Sequence, residues 1–194
     1  MMWKKGFGLV ETILVLGFIS VAVVATLVGY NAYQHKAKIQ NEVSLINQLN
    51  TNMNNIFSVV DVTSNHIALG SGFIEDVLPE GMSMETNKYS SVNNVVNDSG
   101  GIYIEVGPPT SGSFAGLRIS SERVETAVFI LNYVDLKEDY CVDLVQKTAP
   151  IFSFVYAGSF SEELKNEDFD VPLQTTKMVE ACSGGSSIVF ANYL

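Results

Sequence analysis

Lys4-Lys5-Gly6-Phe7-Gly8-Leu9-Val10-Glu11, continuing as Thr12-Ile13-Leu14-Val15-Leu16-Gly17-Phe18-Ile19-Ser20-Val21-Ala22-Val23-Val24-Ala25-Thr26-Leu27-Val28-Gly29-Tyr30, sets the architecture of everything behind it. Two cations come first, then glycine, then a large apolar residue, with one carboxylate four positions on. About 20 apolar residues cross a bilayer core as a helix, and this run has that length. Lys4 and Lys5 lie before it, so a spanning helix would keep its N-terminus in the cytoplasm. A secretory signal would be shorter and end in a small-residue cleavage site.

The helical pattern does not stop where the apolar run does. From Tyr30 to about Val60, Ile39, Val43, Ile46, Leu49, Met53, Ile56 and Phe57 recur at spacings of three and four. No proline occurs in residues 1 to 78. The expectation is one helix from Phe7 to Ser58, about 75 Å long at 1.5 Å per residue. Its first half suits lipid and its second half suits a groove of a folded domain. A plain single-pass anchor with a soluble head has the same periodicity. Glu11 argues against the plain anchor, because a carboxylate at the head of a membrane helix is costly without a positive partner. The α-amino group of a neighbouring chain that starts at Phe7 would be such a partner.

These residues resemble the N-terminus of a type IV pilin. In that resemblance residues 1–6 are the prepilin leader and Gly6 is its last residue, where prepilin peptidase cuts. Phe7 becomes the new N-terminus and is N-methylated. Glu11 stands at the family's fifth mature position and pairs with a neighbour's N-terminus during assembly. The motif covers the first third of the chain. The remainder is similar to the type IVb major pilins, the bundle-forming and toxin-coregulated type. It has a Gly-Gly-x-x-x-x-Val-Gly-Pro stretch (Gly100 to Pro108), a strand-like run, and a helix with Cys141. A strand, a short helix ending in Cys182 and a closing strand follow. The six-residue leader and Phe7 depart from the type IVb pattern, which has longer leaders; Phe7 is more typical of type IVa. The resemblance implies a pilin fold and residues 7–30 as transmembrane and assembly helix. It implies residues 31–60 as amphipathic helix and residues 61–194 as head. It further implies Cys141 and Cys182 as a disulfide bounding the C-terminal region, a homo-oligomeric helical filament, and dependence on inner-membrane assembly machinery. The precursor would be a single-pass inner-membrane protein and the product an extracellular pilus for adhesion, bundling or conjugative contact. A minor pilin or a type II secretion pseudopilin shares this architecture, and a membrane-anchored binding module is a rival of another class.

The chain has 194 residues, room for one globular domain beyond a long helix. Its formal charge is −10, and loss of Lys4 and Lys5 with the leader gives −12. An acidic surface repels phosphate backbones, which argues against nucleic-acid binding. Two cysteines without a Cys-x-x-Cys pattern suit one disulfide in an oxidising compartment, with a pair of buried thiols as the alternative. Such a bridge closes a 41-residue separation and stabilises by roughly 4 kcal/mol in the chain-entropy model.

Beyond the helix the sequence predicts an α+β head with an antiparallel sheet packed on the amphipathic half-helix. Asp61 to Gly72, Leu78-Pro79-Glu80-Gly81 and Asn87 to Gly101 read as turn-rich connection of weak strand character. Ile102 to Val106 alternates as a strand, Gly107-Pro108-Pro109-Thr110-Ser111-Gly112 stops it, and Phe114 to Ser120 reads as a second strand. Ala127 to Val134 is apolar enough for a central strand. Asp135, three residues before Glu138, forms a capping-box pattern for a helix to Lys147. Ile151 to Ala157 and Ile188 to Tyr193 read as strands. A helix from Pro172 to Cys182, stopped by Gly184-Gly185, separates them.

No catalytic pattern emerges, no cofactor is implied and no metal site is expected. His35 and His66 stand far from both cysteines, and phosphate-loop, Gly-x-Ser-x-Gly and His-Glu-x-x-His motifs are missing. His35, Lys36 and Lys38 read as an interfacial belt. The acidic stretch Glu162 to Asp170 reads as a solvated loop; it lacks the spacing and glycine of an EF-hand, so a Ca²⁺ site is the weaker reading. Gly17 and Gly29, with Ser20 and Thr26, allow either close helix approach or local melting, or are simply small residues of a membrane helix.

Overall fold

The computed structural model describes residues 8–57, 72–85, 87–109, 114, 116–123, 126–158, 160–183 and 187–194. The expected leader and cleavage positions Gly6 and Phe7, the turns at Asp61 to Ser71 and Thr110-Ser111-Gly112, His66 and the Gly184-Gly185 stop all lie outside them. The chain divides into two units with the boundary between Lys38 and Ile39.

The first unit carries the apolar part of helix α1 (Leu9–Phe57), which is unbroken through Gly17 and Gly29. This is a helix long and apolar enough to cross a membrane. Its apolar side chains are exposed: Leu9, Phe18, Val21 and Val28 are 65–79% exposed. The hydroxyls within it satisfy themselves on the helix backbone. Ser20 donates to the Leu16 carbonyl at 2.8 Å and Thr26 to the Val23 carbonyl at 2.8 Å. That local bonding lets a polar residue sit in an apolar surrounding without an orphaned group.

The second unit, Ile39–Leu194, is α+β. Helix α2 (Gly72–Glu75) is a single turn. Seven antiparallel strands follow, β1 (Met82–Glu85), β2 (Lys88–Ser91), β3 (Val96–Gly107), β4 (Val128–Leu136), β5 (Phe154–Ala157), β6 (Glu162–Asn166) and β7 (Ile188–Tyr193). They form one sheet in the order β1-β2-β3-β4-β7-β5-β6. Helices α3 (Glu138–Thr148) and α4 (Thr175–Cys182) flank β5 and β6 in sequence. Cys141 and Cys182 form a disulfide with Cα atoms 5.6 Å apart, tying α3 to the last residue of α4.

The C-terminal strand lies inside the sheet between β4 and β5, and both faces there are covered. On β4, Phe129, Leu131 and Tyr133 join the main core, while Val128 and Ile130 join a second cluster with Phe114 and Leu117. On β7, Ile188 and Phe190 alternate with Val189 and Ala191 in the same way. Burial on both faces explains why these strands read as continuous apolar runs. On β3, Ile102, Ile104 and Val106 are buried and Tyr103 and Glu105 only partly so, the alternation of a strand with one covered face. The main core is closed by Ile39, Leu45, Ile46, Leu49, Met53 and Phe57 of α1. Val43 and Ile56 pack at its margin.

Several expectations need correction. Asn87 to Gly101 is not weakly structured: it contains β2 and the first half of β3. Glycine makes that stretch hard to read, since β3 shifts register between Val96 and Gly101, and a Cβ on Gly100 would collide with the Val134 carbonyl. Among the described residues, Phe114 to Ser120 contains no strand. Its backbone groups bond to side chains: the Arg118 amide donates to Tyr156 Oη at 3.2 Å, the Arg118 carbonyl accepts from Asn166 Nδ2 at 3.0 Å, and the Ser120 amide donates to Asp168 Oδ2 at 2.8 Å. Asp135 is not a helix cap. It belongs to β4 with φ 59°, and its carboxylate accepts from Asn97 at 2.9 Å and from Ser99. Those two bonds hold its pKa below the ordinary carboxylate value. Lys137 takes the N-cap position of α3 without a side-chain capping bond; its Nζ donates to the Asn94 carbonyl at 2.8 Å instead. The acidic stretch from Glu162 is strand β6, with Leu164 and Asn166 buried, followed by a 3-10 turn at Glu167–Phe169. The strand expected from Ile151 begins at Phe154, because Ala149–Ile151 forms a 3-10 turn around Pro150. The α4 helix starts at Thr175, not Pro172, because residues 171–174 cover the edge of β6: Val171 pairs with Asn166, and the Gln174 amide donates to the Leu164 carbonyl at 2.8 Å.

Candidate functional site

Two carboxylates on α1 occupy opposite surroundings. Glu11 lies in the first turn, where negative charge meets the unpaired amides and the positive end of the helix dipole. Its Oε2 accepts from the Gly8 amide at 3.3 Å, three residues back. Glu11 itself is exposed, and so are Leu9, Val10, Ile13 and Leu14 around it. Among the described residues no cation pairs with it. The arrangement is a single acid at the head of an apolar surface, able to accept one positively charged donor from outside the chain. In lipid or in a packed helix bundle, leaving it unpaired would cost several kcal/mol.

Glu42 is the second carboxylate, and nothing of it is exposed. It stands in the buried stripe of α1 between Ile39 and Leu45. Ser91 Oγ donates to its Oε2 at 2.6 Å and Asn93 Nδ2 to the same oxygen at 2.9 Å. Tyr133 Oη donates to Oε1 at 2.6 Å. Strand β2, the β2–β3 connection and strand β4 each supply one donor, so one side chain fastens α1 to three parts of the sheet. Among the described residues none of its partners is a cation; the buried acid is satisfied by neutral donors alone, which charge-assisted hydrogen bonds allow. Burial first, and then the charge and hydrogen bond of Glu42, push the Tyr133 hydroxyl well above its ordinary pKa.

A second polar network closes the far side of the head. Asp168, 4% exposed at its side chain, accepts from the Ser120 amide and from Tyr193 Oη at 2.5 Å and faces Arg123 at 3.7 Å. Arg123 also lies over the Tyr193 ring at 4.8 Å. Burial and the neighbouring Asp168 raise the Tyr193 pKa. Glu163 accepts from Tyr156 and Asn166 and pairs with Arg118 at 3.4 Å. Burial pushes the Tyr156 hydroxyl up to about 12. Lys165 donates to the Ala149 and Phe152 carbonyls and pairs with Glu167 at 2.7 Å. Glu163 and Asp168 thus hold Arg118, Ser120 and Arg123, while Lys165, paired with Glu167, bonds the carbonyls at the end of α3. No group of three or more His, Cys, Asp or Glu side chains gathers as metal ligands among the described residues.

Of the residues expected to matter, Glu11 lies at the exposed apolar end of α1, and Cys141 and Cys182 are bonded to each other. Lys36 is exposed, while His35 and Lys38 are half-buried. Sequence reasoning passed over Glu42, Ser91, Asn93 and Tyr133. One signal for Glu42 was present: it falls three residues after Ile39 and four before Ile46, inside the apolar stripe. No protein-family model matches this chain, and no curated protein sequence matches it.

Proposed function

We propose that this chain is the major structural subunit of a type IV pilus, of the type IVb class. It would be held in the inner membrane by its apolar helix, cut after Gly6 by prepilin peptidase, N-methylated at Phe7 and polymerised into an extracellular filament. The observation that carries this reading is Glu11: an exposed carboxylate at the head of an apolar helical run, among exposed apolar side chains and with no cation paired to it among the described residues. An anchor has no use for that charge, whereas a neighbour's N-terminal ammonium would neutralise it and fix the axial register of packed helices. The order of the head supports the class: strand β4, helix α3 with Cys141, strands β5 and β6, helix α4 ending in Cys182, and closing strand β7. Assembly then follows from burial. Helices leave lipid and pack on each other, so apolar contact is retained while Glu11 gains its partner. Adhesion, bundling or conjugative contact is the use that the family resemblance implies for the filament.

Intact mass and N-terminal sequence of surface-sheared filaments test this. The expected result is a chain starting at methylated Phe7, two hydrogens light for one disulfide, and the dominant species of the sheared fraction. A processed but scarce chain would make it a minor pilin or pseudopilin. A chain still starting at Met1 and absent from that fraction would make it a membrane-anchored binding module.

A further inference from the structure

We infer that α1 from Tyr30 to Lys38 is a collar for a phospholipid leaflet, in which Lys36 and Lys38 hold the phosphates of anionic headgroups; this rests on the reading of the apolar run as membrane-spanning. Leu9 to Gly29 is 21 residues, about 31 Å of helix, which matches the thickness of a bilayer core. Every residue from Gly8 to Tyr33 is exposed, on all sides of the helix. Tyr30 and Tyr33 come next, 60% and 68% exposed, and Gln34 donates to the Tyr30 hydroxyl at 2.8 Å. Rings with one polar end settle where hydrocarbon gives way to headgroups. Lys36 follows about 10 Å of helix axis beyond Gly29. Side chains on a helix lean toward its N-terminus, which here is back toward the bilayer, and a long lysine stem lets the ammonium reach headgroup level.

Charge identifies the occupant. From Thr12 to Gln40, Lys36 and Lys38 are the only residues with a full charge. A spanning helix with its N-terminus in the cytoplasm puts them on the side where cations are disfavoured, so their presence needs a cause. Among the described residues neither lysine side chain has an ion pair or hydrogen bond, whereas in the head Lys88, Lys137 and Lys165 donate to carbonyls and Arg118 and Arg123 pair with acids. Residues 39–194 hold 20 of the 21 acids and seven of the 11 cations, a formal charge of −13. An anionic leaflet repels that part of the chain, and the two lysines supply attraction where the helix leaves the hydrocarbon. Their directions favour lipid over a protein mate. Two positions apart on a helix, they point about 160° from each other. A protein lies against one side of a helix, while a leaflet surrounds it and meets both lysines.

The test reconstitutes the full-length chain in phosphatidylcholine vesicles with a trace of spin-labelled phosphatidylglycerol or spin-labelled phosphatidylcholine. Electron spin resonance then measures how much of each lipid is held at the protein. The preference for phosphatidylglycerol is expected to fall about fivefold from the wild type to Lys36→Gln/Lys38→Gln, the change that about 1 kcal/mol makes. Lys36→Arg/Lys38→Arg is expected to keep it. Lys147→Gln/Lys177→Gln, which removes two exposed cations of the head, is expected to keep it as well. Equal preference in the wild type and Lys36→Gln/Lys38→Gln would overturn the inference. An equal loss in Lys147→Gln/Lys177→Gln would also overturn it, by making the preference a matter of net charge alone. Washing the vesicles with alkaline carbonate reads insertion separately. A wild-type chain that is retained but shows no lysine-dependent preference loses the collar and keeps the membrane reading; one that is washed off loses both.

Discussion

Glu11 and Glu42 lie on one helix and could not be treated more differently. Glu42 is sealed from water and receives three hydrogen bonds from its own chain. Glu11 is exposed among exposed apolar side chains, with one bond from the amide three residues back. An acid whose partners are all internal serves folding. In the pilus reading proposed above, an acid among exposed apolar side chains is kept for a partner outside the chain. The same chemical group therefore separates the two regions of α1 by where its partners are found.

The sharpest way to break this contrast is Glu42→Ala. Two buried donors and the half-buried Ser91 lose their charged acceptor at once, and the head should lose about 3–5 kcal/mol, read as a lower urea midpoint at unchanged slope. A change below about 1 kcal/mol would show that Glu42 is not a fastening group and would erase the distinction. Tyr133→Phe removes one donor and leaves two, for an expected loss of about 1.5–3 kcal/mol, hydrogen bonds to charged groups being the strong ones. Ser91→Ala, on the half-buried partner, should cost less than Tyr133→Phe in the same measurement.

The third test uses pH. The folded state holds the Tyr133 proton more tightly than the unfolded chain, whose tyrosine titrates near 10.0. Its contribution is complete below that pH and is lost as pH climbs towards the raised folded value. Denaturant titrations above about pH 10 should show stability falling, and falling less steeply in Tyr133→Phe. Parallel curves for the two proteins would remove Tyr133 from the account. The smallest effect on the head belongs to Glu11→Ala, expected within about 0.5 kcal/mol of wild type, while filament yield drops. Unchanged filaments from that variant would strip Glu11 of its assembly role.

Legibility differed along the chain for physical reasons. The apolar run and the stripe from Ile39 to Phe57 were readable because helical periodicity is local, and β4 and β7 because burial on both faces forces unbroken apolar sequence. The stretch from Asn87 to Gly101 was not: the glycines of β3 are demanded by contacts with Val134 and Lys88, far away in sequence. Asp135 followed by Glu138 matched a capping pattern, yet Asn97 and Ser99 across the sheet outcompeted the helix for its carboxylate. Tertiary partners decided that case against local propensity.

The sequence by itself determined the long helix, its division into an apolar and an amphipathic part, the α+β class and the isolated acid at position 11, because periodicity and composition are properties of neighbouring residues. Only the tertiary structure decided that β7 enters the middle of the sheet and that Glu42 is an internal fastener. Both depend on residues 31 to 91 positions apart coming within bonding distance, and no local pattern encodes which distant partner will be there.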